Sequence, residues 1–178
     1  MIDRLAVFGA TGDLSARYLL PALAALRAAG HLGERFQLTC VGREDWDGEQ
    51  FRRWAAGQLD RHGRSWPADA RNAITACACY RRADVTDPAD VASVIVGDGS
   101  VAVYLALPPA VFPVVVTTLH HVGLPSGSRI VLEKPFGEHL DSAVELNRLL
   151  ADLVPEQAVF RVDHFLAMTT VQNVLGSR

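Results

Sequence analysis

The stretch from Gly9 to Leu20 reads GATGDLSARYLL. Gly9 and Gly12 follow directly on the apolar run LAVF and precede a leucine pattern at helical spacing. Where a strand turns into a helix, such glycines let the backbone bend tightly and come close to a pyrophosphate, whose charge rests on the unpaired amides and positive end of the helix. In that reading Gly9 makes the tight turn and Gly12 the close approach. Ser15 stands where the usual fingerprint has a third glycine, and it is small enough to let helix and strand pack. A turn that holds no ligand is the other reading, since glycine also caps ordinary turns.

Three further groups could do chemistry. Arg43, followed at once by Glu44 in CVGRED, falls at the end of the second apolar run. An acid there receives the ribose hydroxyls of NAD and an arginine the extra phosphate of NADP. Arginine favours NADP because its planar fork grips phosphate oxygens in two places, whereas Glu44 blunts that preference or serves NAD. Of the 17 basic residues 16 are arginine, and the one lysine, Lys134, lies in VLEKPFG just past an apolar run. Its compact ammonium can reach a coenzyme and a hydroxyl together, and chance or a surface role is the lesser alternative for a single residue. Asp163 and His164 in FRVDHF place a carboxylate and an imidazole at the end of the last apolar run. They suit proton handling or anion binding, and adjacent strand residues face opposite ways, so they need not form a dyad.

These groups need elements to hold them. Short runs rich in branched residues recur at 5–8, 37–42, 101–107, 129–133 and 158–162, with a weaker one at 76–81. Continuous apolar runs of this length suit strands buried on both faces. Helical patterns lie between them, from Leu19 to near Gly30, over 111–121 and over 140–153, the last with Ser142 and Glu145 at capping-box spacing. ADVTDPADV reads as a turn entering a short helix, and 60–70, with Gly, Ser and Pro between helical patterns, reads as the least ordered stretch. Alternating strand and helix predict an α/β fold, a Rossmann-like doubly wound parallel sheet with helices on both faces, as one domain over 1–178.

Composition narrows the classes. A chain of 178 residues, 49% hydrophobic and of net charge -3, suffices for a packed core. No apolar run reaches the about 20 residues of a membrane span, and the N-terminus lacks a basic leader with a long apolar stretch, so a soluble, cytoplasmic protein is expected. Mixed charges without a basic stripe argue against a nucleic-acid partner. Cys40, Cys77 and Cys79 read as small buried hydrophobes, with Cys77 and Cys79 on one face of a strand, and a metal site is not expected because paired zinc-type spacing is missing. A short-chain dehydrogenase also opens with a GATG-like loop, but needs a tyrosine four residues before a lysine. Tyr18, Tyr80 and Tyr104 are followed at that distance by Ala22, Asp84 and Pro108, which excludes a conventional member.

Taken in order and spacing, GATGDLSARYLLPAL, VGREDW, YLALPPAVF, RIVLEKPFG and FRVDHFLAMTTVQNVL resemble the coenzyme domain of the glucose-6-phosphate dehydrogenase family across essentially the entire chain. EKPFG and DHFL are far more specific than the glycine loop. The resemblance implies an NADP-dependent dehydrogenase, with NAD used by some members, that oxidises C1 of glucose 6-phosphate to a lactone. It implies that Gly9, Thr11, Gly12, Asp13 and Leu14 shape the dinucleotide loop and that Arg43 holds the 2′-phosphate. Pro108 and Pro109 would line the nicotinamide side, and Lys134 would contact both sugar and coenzyme. Asp163 resembles the carboxylate that orients the catalytic histidine, and His164 resembles a ligand of the sugar phosphate.

The chain departs from the family pattern at Phe165 and Met168, where a tyrosine and a lysine normally reach the phosphate. Family members also continue into a second domain, a broad antiparallel sheet with helices that supplies the histidine base and the dimer interface; this chain ends at VLGSR, and that domain is expected to lie outside it. A stand-alone NADP-binding or regulatory module is therefore one alternative. The other is a dehydrogenase of an unphosphorylated sugar, completed by a partner chain or a second copy.

Overall fold

The computed structural model describes residues 3–137 and 139–163. The six apolar runs form one sheet: β1 (Arg4–Phe8), β2 (Gln37–Gly42), β3 (Ala78–Arg82), β4 (Ala102–Leu105), β5 (Arg129–Glu133) and β6 (Val159–Val162). All five pairings are parallel and the order across the sheet is β3-β2-β1-β4-β5-β6. Parallel neighbours need crossovers, and helices supply them: α1 (Leu20–Ala28), α2 (Gly48–His62), α3 (Ala68–Cys77), α4 (Pro88–Ile95), α5 (Phe112–Val122) and α6 (Leu140–Leu153). This is the doubly wound arrangement the alternation predicts.

Two apolar layers sandwich the sheet. On one face Val7, Leu38 and Tyr80 pack with Leu23 of α1, Phe51 of α2 and Ile74 of α3. On the other, Phe8, Leu105 and Leu132 pack with Val94 of α4, Leu119 of α5 and Leu146 of α6. Alternate strand residues serve opposite layers, which is why the inner runs are largely apolar, whereas the edge strand β3 alternates buried Ala78 and Tyr80 with exposed Cys79 and Arg81. The chain reverses its winding between β1 and β4, so the loops after those two strands diverge and leave a crevice at their carboxyl ends.

Four local expectations are corrected. Cys77 ends α3 and is not on a strand with Cys79, and only Cys40 is a buried hydrophobe, since Cys79 is exposed. Burial pushes the Cys40 thiol far up, which leaves it unreactive. The stretch 60–70 is mostly ordered, because α2 runs to His62 and α3 begins at Ala68 right after Pro67. Ser142 does not start its helix: His139 is the N-cap, and Ser142 Oγ accepts from the His139 amide at 3.2 Å and donates to its carbonyl at 2.8 Å. Glu145 instead pairs with Arg148 at 2.7 Å. The first helical segment begins at Asp13 and passes through a π-helical turn, Ser15–Leu19, before α1.

Candidate functional site

The glycine loop is anchored to the second strand. The amides of Gly9 and Ala10 both donate to the Val41 carbonyl at 2.9 Å, and Gly12 donates to the Gly9 carbonyl at 3.1 Å. Gly9 has φ +85°, and a Cβ there would sit 2.2 Å from the carbonyl oxygen of Ala106 at the end of β4. Only glycine fits, and the residue that makes the turn also closes the switch point from below. Ser15 occupies the packing position as expected: it is 2% exposed and its hydroxyl donates to the Gly9 carbonyl at 3.0 Å.

Above this loop lies a cavity of 380 Å³ bounded by Gly9, Thr11 and Gly12 after β1, by Arg43 and Glu44 after β2, and by Ala106, Leu107 and Pro108 after β4. Val41, Ala83, Val85 and Val111 complete its apolar wall. Volume, an apolar lining and a few convergent polar groups at the reversal of strand order are what a dinucleotide site in an open α/β sheet requires. The first-turn amides of the helix that begins at Asp13 lack partners inside the helix, and that end carries its positive dipole.

Charge at the end of β2 is arranged in two ways. Arg43 is exposed, and its guanidinium makes no hydrogen bond or ion pair among the described residues. It also borders an adjoining recess with Arg82, Asp84 and Asp90, where Arg82 is held by Asp45 at 2.9 Å. Glu44 is folded back over the strand end, its Oε2 accepting from the Thr11 hydroxyl at 2.8 Å and the Arg43 amide at 3.1 Å. Tyr80 donates to the Glu44 carbonyl at 2.9 Å and lies 3.4 Å from Oε2. Partial burial pushes the Glu44 carboxyl up, but the Thr11 hydroxyl, neighbouring amides and Tyr80 outweigh it and hold the group below its ordinary range. Burial and the adjacent Glu44 charge push the Tyr80 phenol up to about 12, so it stays a donor at neutral pH.

Tyr80 was not singled out by its sequence as a site residue. It stands 36 positions from Glu44, and its ring is fixed by stacking on Phe51 at 5.0 Å and by Trp46 at 6.2 Å. The one legible signal was its place in the weak third strand, where it sits at the middle of β3 opposite Cys40. Val85 and Val111 were missed for the same reason, being ordinary apolar residues until the fold sets them against the crevice.

The remaining candidates divide between the loop and the far half of the sheet. Asp13 pairs with Arg17 at 3.3 Å on the surface, and Leu14 is half-buried against the α1 layer. Pro109 faces not the main cavity but a 260 Å³ recess beside it, lined also by Phe136, Gly137 and His139. Lys134 Nζ meets Asp163 Oδ2 at 2.7 Å, joining the ends of β5 and β6 through the residues that directly follow them. The Lys134–Pro135 peptide is cis. Just behind it, the buried hydroxyl of Tyr104 donates to the buried Glu133 carboxylate. His164, Phe165 and Met168 lie outside the described residues. No group of metal-ligating side chains occurs among the described residues, and no helix among them is long and apolar enough to cross a membrane.

Comparison with known proteins places this geometry. Residues 6–173 match the family model described as glucose-6-phosphate dehydrogenase, NAD binding domain. Glucose-6-phosphate 1-dehydrogenase 2 of Mycobacterium tuberculosis is 37% identical over 191 residues, covering 98% of this chain and 37% of the relative. The glucose-6-phosphate 1-dehydrogenase of Zymomonas mobilis is 35% identical, covering 99% of this chain and 38% of the relative. Among solved structures, the glucose-6-phosphate 1-dehydrogenase of Mycobacterium avium superposes with a TM-score of 0.83 at 32% identity, over 93% of this chain and 36% of that one. A glucose-6-phosphate dehydrogenase in complex with its substrate glucose-6-phosphate gives 0.85 at 28% identity, over 99% and 40%. The chain thus spans well under half the length of the curated relatives it matches.

Proposed function

Because the chain belongs to the glucose-6-phosphate dehydrogenase family through that family's NAD-binding domain, we propose that it binds NADP in the switch-point crevice and serves the oxidation of C1 of glucose 6-phosphate to a lactone. The observation that carries the reading is the crevice itself, with a Gly9 turn that excludes any side chain and, at the end of β2, an exposed Arg43 whose guanidinium makes no hydrogen bond or ion pair among the described residues. A nicotinamide coenzyme held by the Gly9–Leu14 loop and Arg43 would supply the acceptor for the hydride of C1. The residues of this chain bind and orient the reactants for that transfer.

Gly9, Gly12 and the first-turn amides of Asp13 and Leu14 hold the pyrophosphate, and Thr11 works at the same rim through Glu44. Arg43 receives the 2′-phosphate, for which its guanidinium need break no existing bond. Pro108 and Pro109 bound the nicotinamide side, one on each of two neighbouring recesses. Lys134 offers a donor to the sugar and the coenzyme, and its ion pair with Asp163 sets its position before either arrives. Asp163 in turn orients the histidine base that accepts the C1 hydroxyl proton, so an incoming imidazole must share Asp163 with Lys134. His164 contacts the sugar phosphate, weakened by Phe165 and Met168 in place of two donors. The histidine base and further partners belong to the family's second domain, and the 178 residues by themselves are proposed to bind coenzyme and to turn over poorly.

The coenzyme reading is tested by calorimetric titration of NADP and NAD into the parent protein and Arg43→Ala. A charge-assisted phosphate contact is worth about 1.5 to 3 kcal/mol, roughly tenfold to hundredfold in affinity. NADP should bind more tightly than NAD, and Arg43→Ala should remove that margin. Equal affinities in the parent protein would sink the assignment of Arg43.

A further inference from the structure

We infer that Tyr104 and Glu133 form a positioning pair for Lys134: the buried hydrogen bond between them fixes the carboxyl end of β5 and thereby aims the ammonium at the reactants. The inference rests on the reading of Lys134 as the donor to sugar and coenzyme.

Among the described residues Glu133, 7% exposed, is the one buried member of the Asp, Glu, Lys and Arg set. Burying a carboxyl is costly unless it is hydrogen-bonded, and apolar Val131, two positions back on the same face, shows what the sheet otherwise uses there. The hydroxyl of Tyr104, itself buried, donates to Glu133 Oε1. Tyr104 stands opposite Val131 in the parallel register, so its ring leans toward the carboxyl ends of the strands to reach that oxygen. Burial and the Glu133 carboxyl push the phenol far up, and the hydroxyl stays a donor at any working pH.

The side chain of Glu133 thus ties β5 sideways to β4. Its backbone lies opposite Val162 of β6, and the next amide, that of Lys134, donates to the Val162 carbonyl at 3.2 Å. The base of the lysine is clamped from both neighbouring strands, and its head meets Asp163 at 2.7 Å. A long exposed stem ordinarily samples many rotamers, and holding its two ends replaces that freedom before a ligand arrives. Neither Tyr104 nor Glu133 bounds the coenzyme crevice, so the pair acts through Lys134.

Lys134 is the only lysine of the chain, so isotopically labelled lysine reports on it alone in a proton–carbon NMR spectrum. In the full parent chain the two protons on Cε should give separate shifts, because a stem held at both ends keeps them in different surroundings. Tyr104→Phe and Glu133→Leu, each checked for folding by circular dichroism, should lose that separation. Both should also weaken glucose 6-phosphate binding to the NADP-loaded protein about tenfold, as expected for the loss of one buried hydrogen bond. Glu133→Gln, whose amide oxygen still accepts from Tyr104, should keep the separation and the affinity. Ile74→Val, which thins the same apolar layer under α3 away from β5, should keep them as well and so separates positioning from general loosening. A parent-like separation in either folded disrupting variant, or its loss in Ile74→Val, would overturn the inference. A parent Lys134 signal that NADP and glucose 6-phosphate leave unmoved would instead overturn the donor role of Lys134, and the inference with it.

Discussion

At the scale of single residues, the most informative side chain is the lone lysine. Lys134 is 57% exposed and paired with Asp163, which is only 18% exposed, so the ion pair tethers a mobile ammonium to a fixed carboxylate. If the ammonium bridges sugar and coenzyme, Lys134→Arg keeps charge but places a planar fork where a compact donor is needed. Glucose 6-phosphate titrated into the coenzyme-loaded protein should then bind about tenfold more weakly or worse, while binary coenzyme affinity changes little. Unchanged sugar-phosphate affinity in Lys134→Arg would remove the role. The importance of Lys134 was legible because an arginine-rich composition made one lysine conspicuous. That Asp163 would be its partner was not, since the two stand 29 positions apart and only the parallel pairing of β5 with β6 brings them together.

At the scale of elements, the strand-to-helix turn after β1 shows what sequence patterns carry and what they omit. Gly9→Ala must accept both φ +85° and a Cβ 2.2 Å from a backbone oxygen that cannot rotate away. A loss of about 2 to 4 kcal/mol is expected. Gly123, at the end of α5, has φ +80° but nothing within 4 Å of a built Cβ, so Gly123→Ala should cost only about 1 kcal/mol. Urea unfolding of both variants measures the contrast, and equal losses would show that close approach to β4 contributes nothing. The inner strands β1, β2, β4 and β5 were legible because they are largely apolar runs buried in the sheet, whereas edge strand β3, with Cys79, Arg81 and Arg82 exposed, gave the weaker signal. Boundaries set by side-chain bonds were less so: Ser142 has the right type for a cap, but the cap lies at His139, where the extended backbone enters α6. The contacts of Glu44 with Thr11 and Tyr80 were illegible because they join the loops after β1 and β2 to the middle of β3. Sequence spacing could place Glu44 near a ribose but not show which way its carboxylate faces.

At the scale of the whole molecule, charge and topology both make predictions. Hydrogen bonds to the Glu44, Asp84, Glu145 and Glu156 carboxylates outweigh desolvation and hold all four below their ordinary range. A group whose folded pKa is depressed stabilises the fold fully above its unfolded value, and the contribution fades as pH falls through the folded one. Unfolded carboxyls titrate near about 4, so the Tm should be insensitive to these groups near neutrality and fall as the pH drops below about 4. A Tm rising on acidification through that window would contradict the assignment.

Topology predicts where a ligand must sit. The reversal of strand order between β1 and β4 puts the coenzyme crevice at the carboxyl ends of the strands, while the recess lined by Leu124, Ser128 and Val154 lies at the opposite end. Amide hydrogen exchange with and without saturating NADP decides the matter most directly. Exchange should slow at 9–14, 42–44 and 106–111 and stay unchanged at 124–129 and 153–158. Protection of the latter segments, or of none, would contradict the placement of the coenzyme at the switch point.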